Sequence, residues 1–360
     1  MKPATIRDVA ERAAVSVASV SRVLTGAGAV TEATRARVMA AVTELKYVPH
    51  SGARSLSTSK THTVGVILPD LFGEFFSELI RGMDLAARAL GYHLIVSSSH
   101  DDADEASAAI RSMRGRVDGL IVLSPHLDAA NLAASLAGST PILLMNGGAN
   151  DAGRPSIVVD NHGGAVRAVE HLVAIGRRRI AHIAGPAGNL EAEARLAGYL
   201  EAMAAAGLPT TVVDGEFSQA SGHRAGVELA ARAERPDAVF AANDNMAVGA
   251  MLALQDAGLR VPEDVAMVGF DDVPLASLVR PGLTTLRIEI AETGRRALER
   301  LVSFMNSAGE AAAAACEVVR PELVVRPSSV AAHSSQTSTT GGLSLASVGA
   351  TVPKGDNQDV

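Results

Sequence analysis

The chain has 360 residues, 48% of them apolar, only 3% aromatic with no Trp, and a formal net charge of −7. That length exceeds one ordinary domain and the apolar share can fill two or three packed cores, while the scarcity of aromatic rings argues against stacking platforms for single-stranded nucleic acid. The single cysteine, Cys316, permits no internal disulfide, and no uninterrupted apolar run is long enough for a membrane span.

The charge is unevenly spread. Residues 1–62 hold nine Lys/Arg against Asp8, Glu11, Glu32 and Glu44, a net of +5, which leaves −12 for the remainder. A basic head on an acidic body suits a protein that meets phosphates at one end only. The opening MKPATIRDVAERA is polar and charged where a signal peptide needs an apolar centre, so a cytoplasmic protein is expected.

Thr5 is a good N-cap for a helix over Ile6–Ala13, supported by Asp8 three residues on. Ser16 caps a second helix, Val17–Leu24, closed by Gly26, and only Ala14-Val15-Ser16 separates the two. Thr31 caps a third, from Glu32 to about Leu45, whose Val38, Val42 and Leu45 can close a small core with Val9, Val15, Val20 and Val23. The short connection predicts a helix-turn-helix with its second helix in the major groove of duplex DNA. Ser16, Val17, Ala18, Ser19, Ser21 and Arg22 form the open face of that helix. Arg22 suits a bidentate contact to guanine, and Val17 and Ala18 suit thymine methyls. A plain three-helix bundle with solvated Ser and Arg fits the same pattern.

The run TIRDVAERAAVSVASVSRVLTG, then VTEATRARVMAAVTELKYVPH and ARSL, resembles the DNA-binding head of the lac-repressor-like family without gaps. The resemblance implies that Val17, Ala18 and Arg22 read bases while Thr5, Ser16, Ser19 and Ser21 face the DNA backbone. It divides the chain into a head (1–49), a hinge (50–61), a core (62–327) and a tail (328–360). By composition the hinge should be disordered alone. In the family it folds on DNA, which implies contacts through Ala53 and a minor-groove wedge at Leu56. His50 departs from the usual Asn, and Gly52 weakens the helix.

From Thr63 apolar strands alternate with amphipathic helices. The strands are expected at Val64–Leu68, His93–Ser97, Gly119–Leu123, Ile142–Met145, Ile157–Val159, Ile180–Ala184, Val212–Asp214, Ala238–Ala241 and Val265–Gly269. Helices fill the gaps, among them Phe76–Leu90, Gly164–Ile175, Glu191–Ala206 and Asn243–Ala257. Strict alternation predicts two doubly wound parallel sheets, with a ligand beyond the carboxyl ends of their strands.

The same resemblance continues here through Phe75-Phe76, VVDNHGG (158–164), Arg195-Leu196-Ala197-Gly198-Tyr199, Gly215-Glu216-Phe217, Ala242-Asn243-Asp244 and Gly269-Phe270-Asp271-Asp272. It implies a two-lobed periplasmic-binding-protein-like core, with lobe one over 62–160 and 289–318 and lobe two over 161–288 and 319–327. Arg195, Asn243 and Asp271 are candidates to grip ligand hydroxyls, and Phe75, Phe76 and Phe217 to cover an apolar sugar face. Asn146, Asn189 and Glu191 stand where relatives carry other side chains. Burying an anion beside Glu191 is costly, so the expected effector is a neutral sugar or polyol.

The tail, rich in Ser, Thr and Gly, should be disordered. Leu343 and Leu345 cannot supply a tetramerising heptad, so a homodimer is expected. No phosphate-binding glycine loop and no nucleophile elbow occurs, so no catalytic residue is named and no cofactor is expected. His100, Asp101, Asp102 and Asp104 read as a charged loop rather than a metal site, and His162, His171 and His182 as surface. The expected function is sequence-specific repression of carbohydrate genes under a small effector. The alternatives are a solute-binding protein and an α/β metabolic enzyme, neither of which has a use for a DNA-binding head.

Overall fold

The computed structural model describes residues 4–26, 29–48, 60–100, 102–123, 140–146, 154–307 and 316–330. The head consists of α1 (Ile6–Arg12), α2 (Val17–Thr25) and α3 (Glu32–Glu44). Each helix begins on a hydroxyl. Thr5 and Asp8 form a reciprocal capping box, Ser16 Oγ accepts from Ser19 N at 3.1 Å, and Thr31 Oγ1 accepts from Thr34 N at 3.4 Å. Gly26 ends α2 at φ 70°, a left-handed cap that favours glycine. Val9, Val20, Val23 and Val38 meet at the centre, each buried valine contributing about 1.5–3 kcal/mol.

Beyond the head lie β1 (Thr63–Leu68), α4 (Glu74–Ala89), β2 (His93–Ser98), α5 (Ala103–Met113), β3 (Gly119–Leu123), β4 (Ile142–Met145) and β5 (Ser156–Val159). There follow α6 (Asn161–Ala174), β6 (Ile180–Ile183), α7 (Leu190–Ala205), β7 (Thr211–Val213), α8 (Gln219–Ala231), β8 (Ala238–Ala241), α9 (Asp244–Asp256) and β9 (Ala266–Asp271). The last elements are α10 (Pro274–Leu278), β10 (Thr284–Arg287), α11 (Ile290–Asn306), β11 (Cys316–Val319) and β12 (Glu322–Val324). One sheet has the order β11-β5-β4-β3-β1-β2 and the other β12-β10-β9-β8-β6-β7. The inner strands β3, β4, β6, β8 and β9 are buried along their whole length, as helix-covered sheets require.

Both lobes carry the expected parallel sheet, and at one edge of the second β12 runs antiparallel to β10 with Thr285 opposite Val324. Only Arg320 and Pro321 separate β11 from β12. A parallel entry would need a crossover segment long enough to reverse the chain. The backbone passes between the sheets after β5, after β10 and after β11. On lobe one α4 and α11 cross at backbone contact. A Cβ on Gly82 would overlap the Ala291 carbonyl, and one on Gly294 the Leu79 carbonyl.

Two expectations are corrected. His182 is not a surface residue: it is fully buried on β6, stacked between Tyr199 and Phe240, with its Nδ1 2.9 Å from the Phe240 carbonyl oxygen. The strand is covered on both faces, so alternation did not place the ring outside. The tail does not begin at 328, because Ser328 and Ser329 are buried. Ser328 Oγ accepts from Thr284 N at 2.7 Å and donates to Met267 O at 2.7 Å, joining β9 and β10. Its hydroxyl serves the sheet as backbone groups would. Ser328→Ala should therefore strand a buried N–H and a carbonyl and cost about 1–3 kcal/mol in denaturant unfolding; an unchanged midpoint would show that these groups re-pair.

Candidate functional site

On the head, α2 exposes its amino-terminal turn. Ser16, Val17, Ala18 and Arg22 are exposed, while Ser19 and Ser21 are partly covered. Val17 is 42% exposed although apolar, in a helix whose Val20 and Val23 are buried. Ser16 Oγ and Ser19 Oγ lie 3.0 Å apart, and Thr5 shares its hydroxyl with Asp8. The structure thus brings six of the proposed DNA contacts to one helix and its cap, with Thr5 at the adjoining helix start. Ala53 and Leu56 lie outside the described residues.

The larger site is a cavity of about 590 Å³ between the two lobes. Both sheets aim strand ends at it: Pro69 follows β1, Leu123 ends β3, Asn243 follows β8 and Asp271 ends β9. Phe75, Phe76, Asn189, Glu191, Arg195, Phe217, Asn243 and Asp271 all line it. Asn146 does not. At φ 55° after β4 it turns Oδ1 back to accept from Val159 N at 3.0 Å, so it ties β4 to β5 and is corrected as a ligand contact.

Arg195 organises the floor of lobe two. Its guanidinium is 4% exposed and lies 3.8 Å over the Phe270 ring. Nε donates to Asn161 Oδ1 at 2.8 Å and Nη1 donates to the Ala242 carbonyl. Nη2 faces two carboxylates, Asp271 at 3.5 Å and Glu191 at 4.0 Å. These contacts lie within one lobe, so Arg195 is not an interlobe bridge. Burial pushes the Asp271 carboxyl up to about 7, with Arg195 opposing and Glu191 adding to the rise.

The asparagines serve the backbone first. Asn189 Oδ1 caps α7 through Glu191 N and Ala192 N. Asn243 Oδ1 caps α9 through Met246 N, and its Nδ2 donates to Phe217 O at 3.0 Å. Asp271, Asp272 and Phe217 adopt positive φ values of 108°, 57° and 59°, costly for non-glycine residues and held only by strong surroundings. Here Asp272 clamps Arg287 and Arg326, each at 2.6 Å.

Sequence reasoning missed Asp70, Phe72, Glu74, Glu216, Ser218 and Gln219, which also line the cavity. The signal was present, because each stands just after an apolar run, where strand ends open into the crevice. Glu74 joins the lobes directly, its Oε2 accepting from Leu275 N at 2.9 Å. Among the described residues no three His, Cys, Asp or Glu side chains converge as metal ligands. Nor is any described helix long and apolar enough to cross a membrane.

Comparison with known proteins gives the site its context. Residues 5–50 match the family described as bacterial regulatory proteins, lacI family, and residues 169–329 match the periplasmic binding protein-like domain. The ribose operon repressor of Escherichia coli (strain K12) is 37% identical over 307 residues, spanning 83% of this chain and 92% of its own. Among solved structures, the lac repressor dimer bound to operator and the anti-inducer ONPF matches with a TM-score of 0.83 and 32% identity, covering 92% of this chain and all of that one. A transcriptional regulator CelR–cellobiose complex matches at 0.67 and 33%, covering 90% of this chain and 99% of that one.

Proposed function

Because this chain belongs to the lacI family of bacterial regulatory proteins, we propose that it is a cytoplasmic, non-enzymatic transcriptional repressor of carbohydrate genes. It acts as a homodimer on a pseudo-palindromic operator, and a sugar-sized effector between its lobes controls it. The observation that carries this reading is one chain holding both a helix-turn-helix with an open α2 face and a two-lobed cavity. Val17, Ala18 and Arg22 read base edges in the major groove, and Thr5, Ser16, Ser19 and Ser21 hold the phosphates. Ala53 and Leu56 in the hinge segment act at the centre of the operator, where an apolar wedge kinks the duplex. The effector shifts the angle between the lobes and so biases the hinge, with induction as the outcome. By linkage, effector and operator alter each other's affinity by the same factor.

Fluorescence anisotropy with a duplex selected from a randomised pool tests this reading, with and without sugars. Salt-sensitive binding that one sugar weakens is the expected result. Failure to enrich any sequence would remove the repressor assignment. Arg22→Ala should weaken operator binding by about 1–3 kcal/mol and relax preference at one base pair. An equal loss across all sequences would instead make Arg22 a phosphate contact.

A further inference from the structure

The cavity is unevenly charged. Asp70 and Glu74 enter from lobe one and Glu191, Glu216 and Asp271 from lobe two, while Arg195 is the one cation among the described lining residues. Glu216 has a local counter-ion in Arg224 at 2.9 Å. Of these carboxylates, Asp271 and Glu191 both face the single Arg195 guanidinium.

A second observation points to what completes the site. Asp271 lines the cavity at 6% exposure, and its Oδ1 is buried without a hydrogen-bond partner. Arg195 Nη2 approaches that oxygen only to 3.5 Å while also serving Glu191. A buried carboxylate lacking donors is costly and calls for one. Burial, with Glu191 adding and Arg195 opposing, raises the Asp271 carboxyl to about 7, so near neutral pH it is partly protonated.

Resting on the repressor reading above, we propose that the effector is an amino sugar, whose protonated amine sits against Asp271 while its hydroxyls meet the other polar lining groups. An ammonium gives Asp271 a charge-assisted hydrogen bond, roughly twice as strong as a neutral one. A hydroxyl offers only the weaker bond, and a phosphate or carboxylate meets repulsion from the acidic walls. Phe72, Phe75 and Phe217 supply apolar surface for a sugar face. A volume of about 590 Å³ admits one or two sugar rings.

The test is isothermal titration of the full chain with matched trios: glucose, galactose and mannose, their 2-amino-2-deoxy forms and their N-acetyl forms. We expect one amino sugar to bind about tenfold or more tighter than its hydroxyl parent and N-acetyl form. Heats in two buffers of different ionisation enthalpy should show proton release as Asp271 ionises. Asp271→Asn should erase the preference. Should that variant fail to fold, salt gives the independent readout, weakening the amino sugar but not its parent. A parent sugar that binds as tightly as its amino form, or no binding by any amino sugar, overturns the proposal. The same preparation is titrated with the selected operator. A shift by neutral sugars alone leaves the repressor reading standing and this inference false. Amino-sugar binding without operator binding supports the inference about the site and removes the repressor reading.

Discussion

Replacing Arg195 with methionine should lower the free energy of unfolding by about 3–5 kcal/mol, because the change leaves buried carboxylates without their cation. Methionine keeps much of the packing on Phe270, but Asn161 Oδ1 and the Ala242 carbonyl lose their donor. Asp271 and Glu191 lose the charge that Nη2 presents to both. The effect has a definite sign with pH. The folded-state pKa of Asp271 is already raised to about 7, and Arg195 is what holds it down. Without Arg195 it rises further, so once pH passes about 7, where the wild-type group has ionised and its loss levels off, the variant still binds the proton and goes on losing stability. Denaturant unfolding at pH 5.5 and pH 8 should show the gap between variant and wild type widening at the higher pH. A gap equal at both values would mean that the guanidinium acts through its hydrogen bonds to Asn161 and Ala242 and its stacking on Phe270, not through its charge on Asp271.

The second large effect lies in acid. Burial lowers the pKa of His182 to about 4, with the Phe240 carbonyl opposing and the Arg195 charge assisting. In the unfolded chain the ring titrates near 6.5. Between those values the unfolded state binds a proton that the native state refuses, so stability falls as pH drops from 6.5 to 4. The loss amounts to about 3 kcal/mol at the lower end. His182→Leu should flatten this limb. Its Nε2 has no hydrogen-bond partner, so leucine removes a buried polar atom and forfeits the stacking on Tyr199 and Phe240. Unfolding free energies at pH 7 and pH 4.5 should differ by about 2–3 kcal/mol less in the variant than in the wild type. Carboxylates that titrate in the same window are common to both proteins and cancel. An unchanged acid limb would assign the acid sensitivity to those carboxylates.

What the sequence disclosed follows from how each element earns its burial. Helices capped by Thr5, Ser16 and Thr31 could be read because the cap and the first turn are local. Buried strands such as Gly119–Leu123 and Ala238–Ala241 could be read because both faces demand apolar residues. The strand Glu322–Val324 has no such signature. It sits at a sheet edge, partly exposed, and its direction depends on a partner far away in the chain. Ser328 and Ser329 looked like tail because polar composition cannot reveal that β9 and β10 need their hydroxyls. In the cavity, Arg195 and Asp271 stand on helix and strand ends that the pattern located. Asp70, Phe72 and Glu74 arrive from the facing lobe, and although they follow β1, nothing in their loop separates cavity-lining residues from ordinary turn residues. Asn146 shows the converse, a polar residue at a strand end that serves a neighbouring strand instead of a ligand.

The three passages of the backbone between sheets also set an order of events on the ribosome. By residue 287 each lobe holds five of its six strands, and neither is finished. Lobe one still lacks α11 against α4 and the edge strand β11, while lobe two still lacks β12 and the serines that join β9 to β10. Both halves are sealed by the same final stretch, residues 290–330. The head, made of local contacts within its first 48 residues, needs none of it. A nascent chain therefore displays a finished DNA reader well before it owns the cavity that would govern it. Translation cut short before residue 316 would release a reader on a body with both lobes incomplete.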